Sequence, residues 1–109
     1  MFKIAALYKF AEVSNPYKAQ SEIRANLKSL SIHGTILVGQ EGLNGTISGS
    51  KKNIDKAIAY IRQLKNFKDT DVKFSEANIN PFIRLKIKLK EEIVTIGDKT
   101  ISPVNMSGN

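Results

Sequence analysis

Residues 82–90 read Phe-Ile-Arg-Leu-Lys-Ile-Lys-Leu-Lys, a stretch in which aliphatic and cationic side chains alternate from Ile83 onward. Because successive side chains of a β-strand point to opposite faces, the aliphatic residues share one face and the cations share the other. The aliphatic set is Ile83, Leu85, Ile87 and Leu89, and the cationic set is Arg84, Lys86, Lys88 and Lys90, with Phe82 at its head. The stretch therefore predicts a strand with one face in a core and one face presenting positive charge to an anionic partner.

The segments around this strand predict two helices and several more strands. Strand-like runs occupy residues 2–10, 35–39, 46–49 and 71–75, and a further one is expected within 91–97. Asn15 and Pro16 are typical of a helix start, Ser50 is expected to cap the second helix, and His33-Gly34 is expected to end the first. Apolar residues recur at helical spacing in the first helix, at Ala19, Ile23, Leu27 and Leu30.

The order of these elements predicts an α+β fold of the ferredoxin-like or acylphosphatase-like βαββαβ type. In that fold an antiparallel sheet carries both helices on one face, and here an extra strand is expected at the C-terminal end. We expect the domain to occupy residues 1–97, and residues 98–109 to be a disordered tail or the start of a linker.

Composition excludes several classes of site. The 109 residues carry a formal net charge of +7, contain no cysteine and have one histidine. Disulfides, thiolate chemistry and His-rich metal cages are thereby excluded, and we predict no catalytic or metal-ligating residue. No run of apolar residues is long enough for a membrane span, so no membrane partner is expected. A cytoplasmic location is the default expectation, since nothing in the sequence indicates another compartment.

Three segments in this order resemble one family of proteins. They are Ile36–Ser50, which contains Glu-Gly-Leu-Asn-Gly-Thr-Ile, then Asn80–Lys90 with Phe-Ile-Arg-Leu-Lys-Ile-Lys, and finally Glu92–Gly97. Together they look like the N-terminal domain of the rhodanese-fused tRNA uridine hydroxylases. The likeness extends over nearly the whole chain, and the combination of motifs is more specific than either motif alone.

The resemblance implies that the parent enzyme hydroxylates carbon 5 of the wobble uridine in tRNA with molecular oxygen. It also implies two partners, tRNA and a C-terminal rhodanese domain with an active-site cysteine. Because these residues contain no cysteine, we expect them to contribute RNA binding or domain organisation and not to turn over alone. No cofactor is expected within them, and the sequence does not identify one for the parent enzyme.

The candidate nucleic-acid-binding residues each have a structural interpretation as well. The cationic row Arg84, Lys86, Lys88 and Lys90 is equally consistent with phosphate contacts and with a solvated sheet face. Glu41 and Asn44 lie in a predicted turn over 41–45, where glycines serve backbone geometry but exposed polar groups could bind a base or phosphate. Phe82 could stack on a base, although packing at the sheet edge is the favoured interpretation.

Two other functions are alternatives to the tRNA-modification role. An acylphosphatase-type hydrolase is disfavoured because the first strand-to-helix loop, residues 11–15, has no arginine or glycine-rich phosphate cradle and contains the acidic Glu12. A non-catalytic regulatory or assembly module of the ferredoxin-like fold stays open as the alternative, since fold alone does not decide function.

Overall fold

Five strands and two helices follow one another over residues 1–90, the part of the chain that this computed structural model describes. The strands are β1 (Phe2–Phe10), β2 (His33–Gly39), β3 (Gly42–Gly49), β4 (Asp71–Ala77) and β5 (Leu85–Leu89), and the helices are α1 (Pro16–Ser29) and α2 (Lys51–Gln63). The further strand expected within 91–97, the domain boundary at 97 and the tail 98–109 lie outside the described residues.

Both helices begin where the sequence predicts. The Asn15 side chain accepts a hydrogen bond from the Lys18 backbone N–H at 3.1 Å. Ser50 Oγ accepts one from the Asn53 backbone N–H at 3.2 Å. Each cap satisfies one of the donors that a helix start leaves unpaired.

The predicted end of α1 is wrong. The helix ends at Ser29, Ser31 takes the left-handed backbone conformation at φ 55°, and the Ile32 N–H bonds back to the Leu27 carbonyl. This tight turn reverses the chain several residues before the expected glycine. His33 and Gly34 consequently begin β2 and do not cap the helix.

The strands form one sheet in the order β4-β1-β3-β2-β5. The first four follow the βαββαβ arrangement, with every pair antiparallel, and this confirms the predicted fold class. The expectation of a purely antiparallel sheet is wrong in one respect, because β5 pairs with β2 in parallel.

Strand directions explain why β5 is parallel. Strand β1 is antiparallel to β4 and β3, and β3 is antiparallel to β2. The C-terminus of β4 therefore lies at the same end of the sheet as the N-terminus of β2. The segment 78–84 crosses that end, so a strand laid beside β2 runs in the same direction. Helix α1 holds β5 there, because the Ile87 carbonyl accepts hydrogen bonds from Gln20 Nε2 at 2.7 Å and Arg24 Nη2 at 3.1 Å.

The core lies between the sheet and the two helices. Alternate residues of β1, β2, β3 and β5 are buried against the helices, as Ala5 and Leu7 of β1 and Ile87 of β5 show, whereas Val72 of β4 is only partly buried. From α1 and α2 the buried residues are Ile23, Leu27, Ile54, Ala57, Ile58 and Ile61. The other side of the sheet, which we call the open face, carries no helix among the described residues.

Candidate nucleic-acid interface

The strand pairing identifies which side chains share the open face, because residues directly opposite each other on neighbouring strands point the same way. One transverse row contains Lys73, Ala6, Thr46, Thr35 and Lys86, from β4 to β5. The next row contains Asp71, Tyr8, Asn44, Leu37 and Lys88. The open face is therefore a polar and aromatic surface with lysines along both edges.

The cationic row on β5 is shorter than the sequence suggests. Lys86 and Lys88 are exposed on either side of the buried Ile87, as the alternation predicts. The strand begins only at Leu85, however, and Ile83 is 92% exposed instead of packing in the core. Arg84 is exposed but precedes the strand, and its carbonyl accepts the Gly34 N–H.

Hydrogen bonds to Asn80 explain the late start of β5. The Ser48 hydroxyl donates to Asn80 Oδ1, and the Phe82 N–H donates to the same oxygen at 3.2 Å. Asn80 Nδ2 lies 2.9 Å from His33 Nδ1, which therefore acts as the acceptor. These bonds hold the 80–82 segment over one end of the open face, where it buries Ser48 completely and leaves Phe82 partly exposed.

The predicted turn over 41–45 is also shorter in the structure. Strand β2 ends at Gly39 and β3 begins at Gly42, so only Gln40 and Glu41 form the turn. Asn44 is exposed within β3 and pairs with Leu37 on one side and Tyr8 on the other. The expectation that Glu41 and Asn44 share a loop is wrong, but both border the same end of the open face.

The two glycines of the motif serve the backbone. A Cβ on Gly42, whose φ is 147°, would lie 2.0 Å from the Lys9 carbonyl oxygen. A Cβ on Gly45 would lie 2.1 Å from the Thr35 carbonyl oxygen. Neither position accommodates a side chain without displacing a neighbouring strand, so the motif's glycines are explained by close strand approach.

A shallow depression brings together residues from separate parts of the predicted site. It is lined by Phe10, Leu37, Glu41, Gly42, Leu43, Asn44 and Lys90. Lys90 Nζ lies 3.4 Å from Glu41 Oε1, and the Lys90 N–H donates to the Val38 carbonyl at 2.7 Å. Glu41, Asn44 and Lys90 thus cluster at one end of the open face, whereas Phe82 and Arg84 lie towards the other end.

Positive charge is neutralised unevenly on the two sides of the sheet. On the helix side, Lys3 Nζ lies 2.8 Å from Asp55 and Lys9 Nζ lies 3.0 Å from Asp69. Among residues 1–90, Lys73, Lys86 and Lys88 of the open face form no ion pair. Lys3 and Lys9 therefore do not extend the β5 row.

Two ionisable groups have displaced pKa values, and both lie away from the open face. The hydrogen bond from Lys9 lowers the pKa of Asp69 below its ordinary value, with further help from a backbone N–H and the positive charge of Lys9. Burial raises the pKa of Tyr60, and the negative charge of Glu22 adds to that effect. Neither group indicates acid–base chemistry at the candidate site.

Sequence reasoning missed the aromatic residues of the open face. The sequence analysis gives no function to Tyr8 or Phe10 of the first strand, yet the two residues are 51% and 74% exposed. The alternation of the strand does place Tyr8 and Phe10 together on one face, because Lys3, Ala5, Leu7 and Lys9 occupy the opposite face. What could not be read from β1 alone was which of its faces meets the helices.

Other features carry less functional information. A cavity of about 510 Å³ lies between the start of α1 and the end of α2 and includes Glu12, Lys18, Glu22 and Lys65. Within residues 1–90, no cluster of three or more His, Asp or Glu side chains is arranged to hold a metal ion. None of the helices described is long and apolar enough to cross a membrane.

Comparison with known proteins identifies the family. Residues 2–93 match the family model described as the UPF0176 acylphosphatase like domain. The chain belongs to this UPF0176 family. Among its relatives are proteins named tRNA uridine(34) hydroxylase from Bartonella quintana, 39% identical over 107 residues, and from Wolbachia pipientis wMel, 43% identical over 96 residues.

The UPF0176 domain accounts for only part of those relatives. The alignments cover 98% and 88% of this chain but 35% of each relative's length. In fold, the domain is similar to an acylphosphatase from Bacillus subtilis, with a TM-score of 0.62 over 80% of this chain and 98% of that one. At 11% identity this similarity concerns the fold alone.

Proposed function

We propose that this domain binds tRNA through its open face, as one part of a protein that hydroxylates uridine 34. The family membership and the names of the relatives support the tRNA substrate. The absence of cysteine from the sequence leaves the chemistry of a rhodanese domain to another part of such a protein. A cytoplasmic location, where tRNA is modified, is part of the same proposal.

The observation that carries the proposal is the pair Lys86 and Lys88 on β5. Two residues apart on one strand, they stand about 6.6 Å from each other and share an open face with Lys73. When exposed lysines without a carboxylate partner contact phosphates, they displace the counterions that surround the nucleic acid. This release of counterions is the main source of sequence-independent affinity for nucleic acid. Arg84, exposed just before β5, can bind a phosphate with two donors.

Salt-dependent binding of an unmodified tRNA transcript tests this role. The double variant Lys86→Glu/Lys88→Glu should bind at least about tenfold more weakly at low salt, because it loses contacts and adds repulsion. The slope of log affinity against log salt should become shallower by roughly 1.4 to 1.8, since each lost phosphate contact contributes about 0.7 to 0.9.

A matched control changes the same charge elsewhere. Lys51 and Lys52 are exposed at the start of α2, on the helix side of the sheet. Lys51→Glu/Lys52→Glu changes the net charge by the same amount as Lys86→Glu/Lys88→Glu. It should not unfold α2, because acidic residues stabilise a helix N-terminus. The proposal requires the control to bind close to the parent, and equal losses in both variants would contradict a specific interface.

A second role is contact with another domain of the longer protein, for which a rhodanese domain is the proposed partner. Ile79 and Ile83 flank the Asn80 segment and are 76% and 92% exposed. Ile79→Ser/Ile83→Ser should leave tRNA binding by this chain unchanged while lowering the unfolding temperature of the longer protein. An unchanged unfolding temperature would remove the support for this contact.

A further inference from the structure

We propose that Tyr8 and Phe10 form a stacking platform for the bases of single-stranded RNA on the open face. The inference rests on the proposed function, because it assigns the lysines of β5 to the phosphates and the aromatic residues of β1 to the bases. It adds a binding site for unpaired nucleotides that the charge pattern alone does not provide.

Both rings of the platform are accessible to a ligand. The ring centroids of Tyr8 and Phe10 are 6.0 Å apart with an angle of 62° between planes, and both side chains are more than half exposed. The edge-to-face contact is a favourable arrangement of two aromatic rings, and the exposed fractions leave ring surface accessible to a base. Exposed apolar surface rimmed by polar groups is typical of an interaction site.

The neighbours of the rings suit a nucleobase. Tyr8 lies opposite Asn44, whose amide supplies both a donor and an acceptor for base edges. Phe10 lies opposite Gly42, which has no side chain to cover the ring, and it borders the depression that contains Glu41 and Lys90. The platform therefore combines flat apolar surface with hydrogen-bonding groups at its margin.

The spacing of the sheet connects the platform to the cations. Tyr8, Asn44, Leu37 and Lys88 occupy one row across four strands. Three strand spacings separate Tyr8 from Lys88, a distance of about 14 Å that a short run of extended nucleotides can span. A strand of RNA with phosphates at Lys86 and Lys88 can thus reach Tyr8 and Phe10 with its bases.

The charge of the face selects RNA over a protein partner. On the open face the strands carry three lysines, Lys73, Lys86 and Lys88, against one carboxylate, Asp71. Within residues 1–90 none of these lysines forms an ion pair. Single-stranded nucleic acid offers phosphates and π-faces together, and proteins that bind it combine cationic grooves with stacking aromatic residues. An apolar protein surface would leave Lys73, Lys86 and Lys88 without partners.

The test compares two probes of equal charge, each about 12 nucleotides long, within the range that single-strand modules cover. One is a mixed-sequence RNA and the other is its abasic counterpart. Tyr8→Leu/Phe10→Leu should weaken RNA binding roughly 5- to 140-fold for each base lost from the platform and leave abasic binding unchanged. Lys86→Glu/Lys88→Glu should weaken binding of both probes.

These arms separate the platform from the underlying function. If the aromatic variant binds RNA like the parent while the lysine variant does not, the platform is wrong and the proposed function stands. If neither variant loses affinity, both are wrong. Because threonine favours β-strands, Tyr8→Thr/Phe10→Thr is a second variant in case the leucines disturb the sheet. Fluorescence of 2-aminopurine placed in the RNA reports stacking directly, because stacking quenches it. Unquenched emission on binding would contradict the platform.

Discussion

Lys3 on β1 forms a 2.8 Å ion pair with Asp55 of α2, and this contact places a neutral pair on the side of the sheet that faces the helices. Asp71 lies on the opposite side, in the same row as Tyr8, and is exposed. The two carboxylates therefore experience different surroundings although both are acidic surface residues. This difference allows the two faces to be tested with identical substitutions.

Asp71→Asn should tighten RNA binding roughly twofold at low salt, because it removes a negative charge about one strand spacing from the platform. Asp55→Asn makes the same change of charge on the helix side and should have no measurable effect on RNA affinity. Fluorescence anisotropy with a labelled single-stranded RNA measures both. Tighter binding by both variants to the same degree would show that net charge, not the open face, governs affinity.

Asn80→Ala should lower the free energy of unfolding by about 1 to 3 kcal/mol, because it leaves the buried Ser48 hydroxyl and the ring of His33 without a partner. Asn78→Ala, at an exposed position in the same segment, should change it by less than about 0.5 kcal/mol. Urea denaturation monitored by circular dichroism measures the free energy of unfolding of both variants. Equal midpoints for the two variants would mean that the Asn80 bonds do not hold the segment in solution.

Gly45→Ala should destabilise the domain by about 2 kcal/mol or more, because its Cβ would lie 2.1 Å from the Thr35 carbonyl oxygen, a backbone atom. Gly39→Ala is the control, since the nearest atom to its Cβ is the Lys90 Cβ at 3.2 Å, a much longer distance than the 2.1 Å at Gly45. Thermal unfolding of both variants measures the effect. A Gly45 variant as stable as the Gly39 variant would contradict the close approach of β2 and β3.

Local sequence signals predicted the elements well, because each depends on neighbouring residues. Asn15 and Ser50 cap the helices where expected, and the alternation around Ile87 correctly placed Lys86 and Lys88 outside the core. The family resemblance, stated from three motifs, is confirmed by the family match over residues 2–93.

The errors arose where distant contacts decide the structure. Asn80 contacts Ser48 and His33, which lie 32 and 47 residues away, and these bonds delay the start of β5 beyond Ile83 and Arg84. The parallel pairing of β5 with β2 depends on which edge the 78–84 segment reaches. The exposure of Tyr8 and Phe10 depends on the helices covering the other face of β1, which no local pattern in that strand specifies.

Backbone amide NMR during titration with single-stranded RNA tests the open-face interface most directly. The proposed interface predicts saturable shift changes at Tyr8, Phe10, Asn44, Lys86 and Lys88, with helices α1 and α2 unaffected. Shift changes confined to the helices, or no saturable change at β1 and β5, would contradict it.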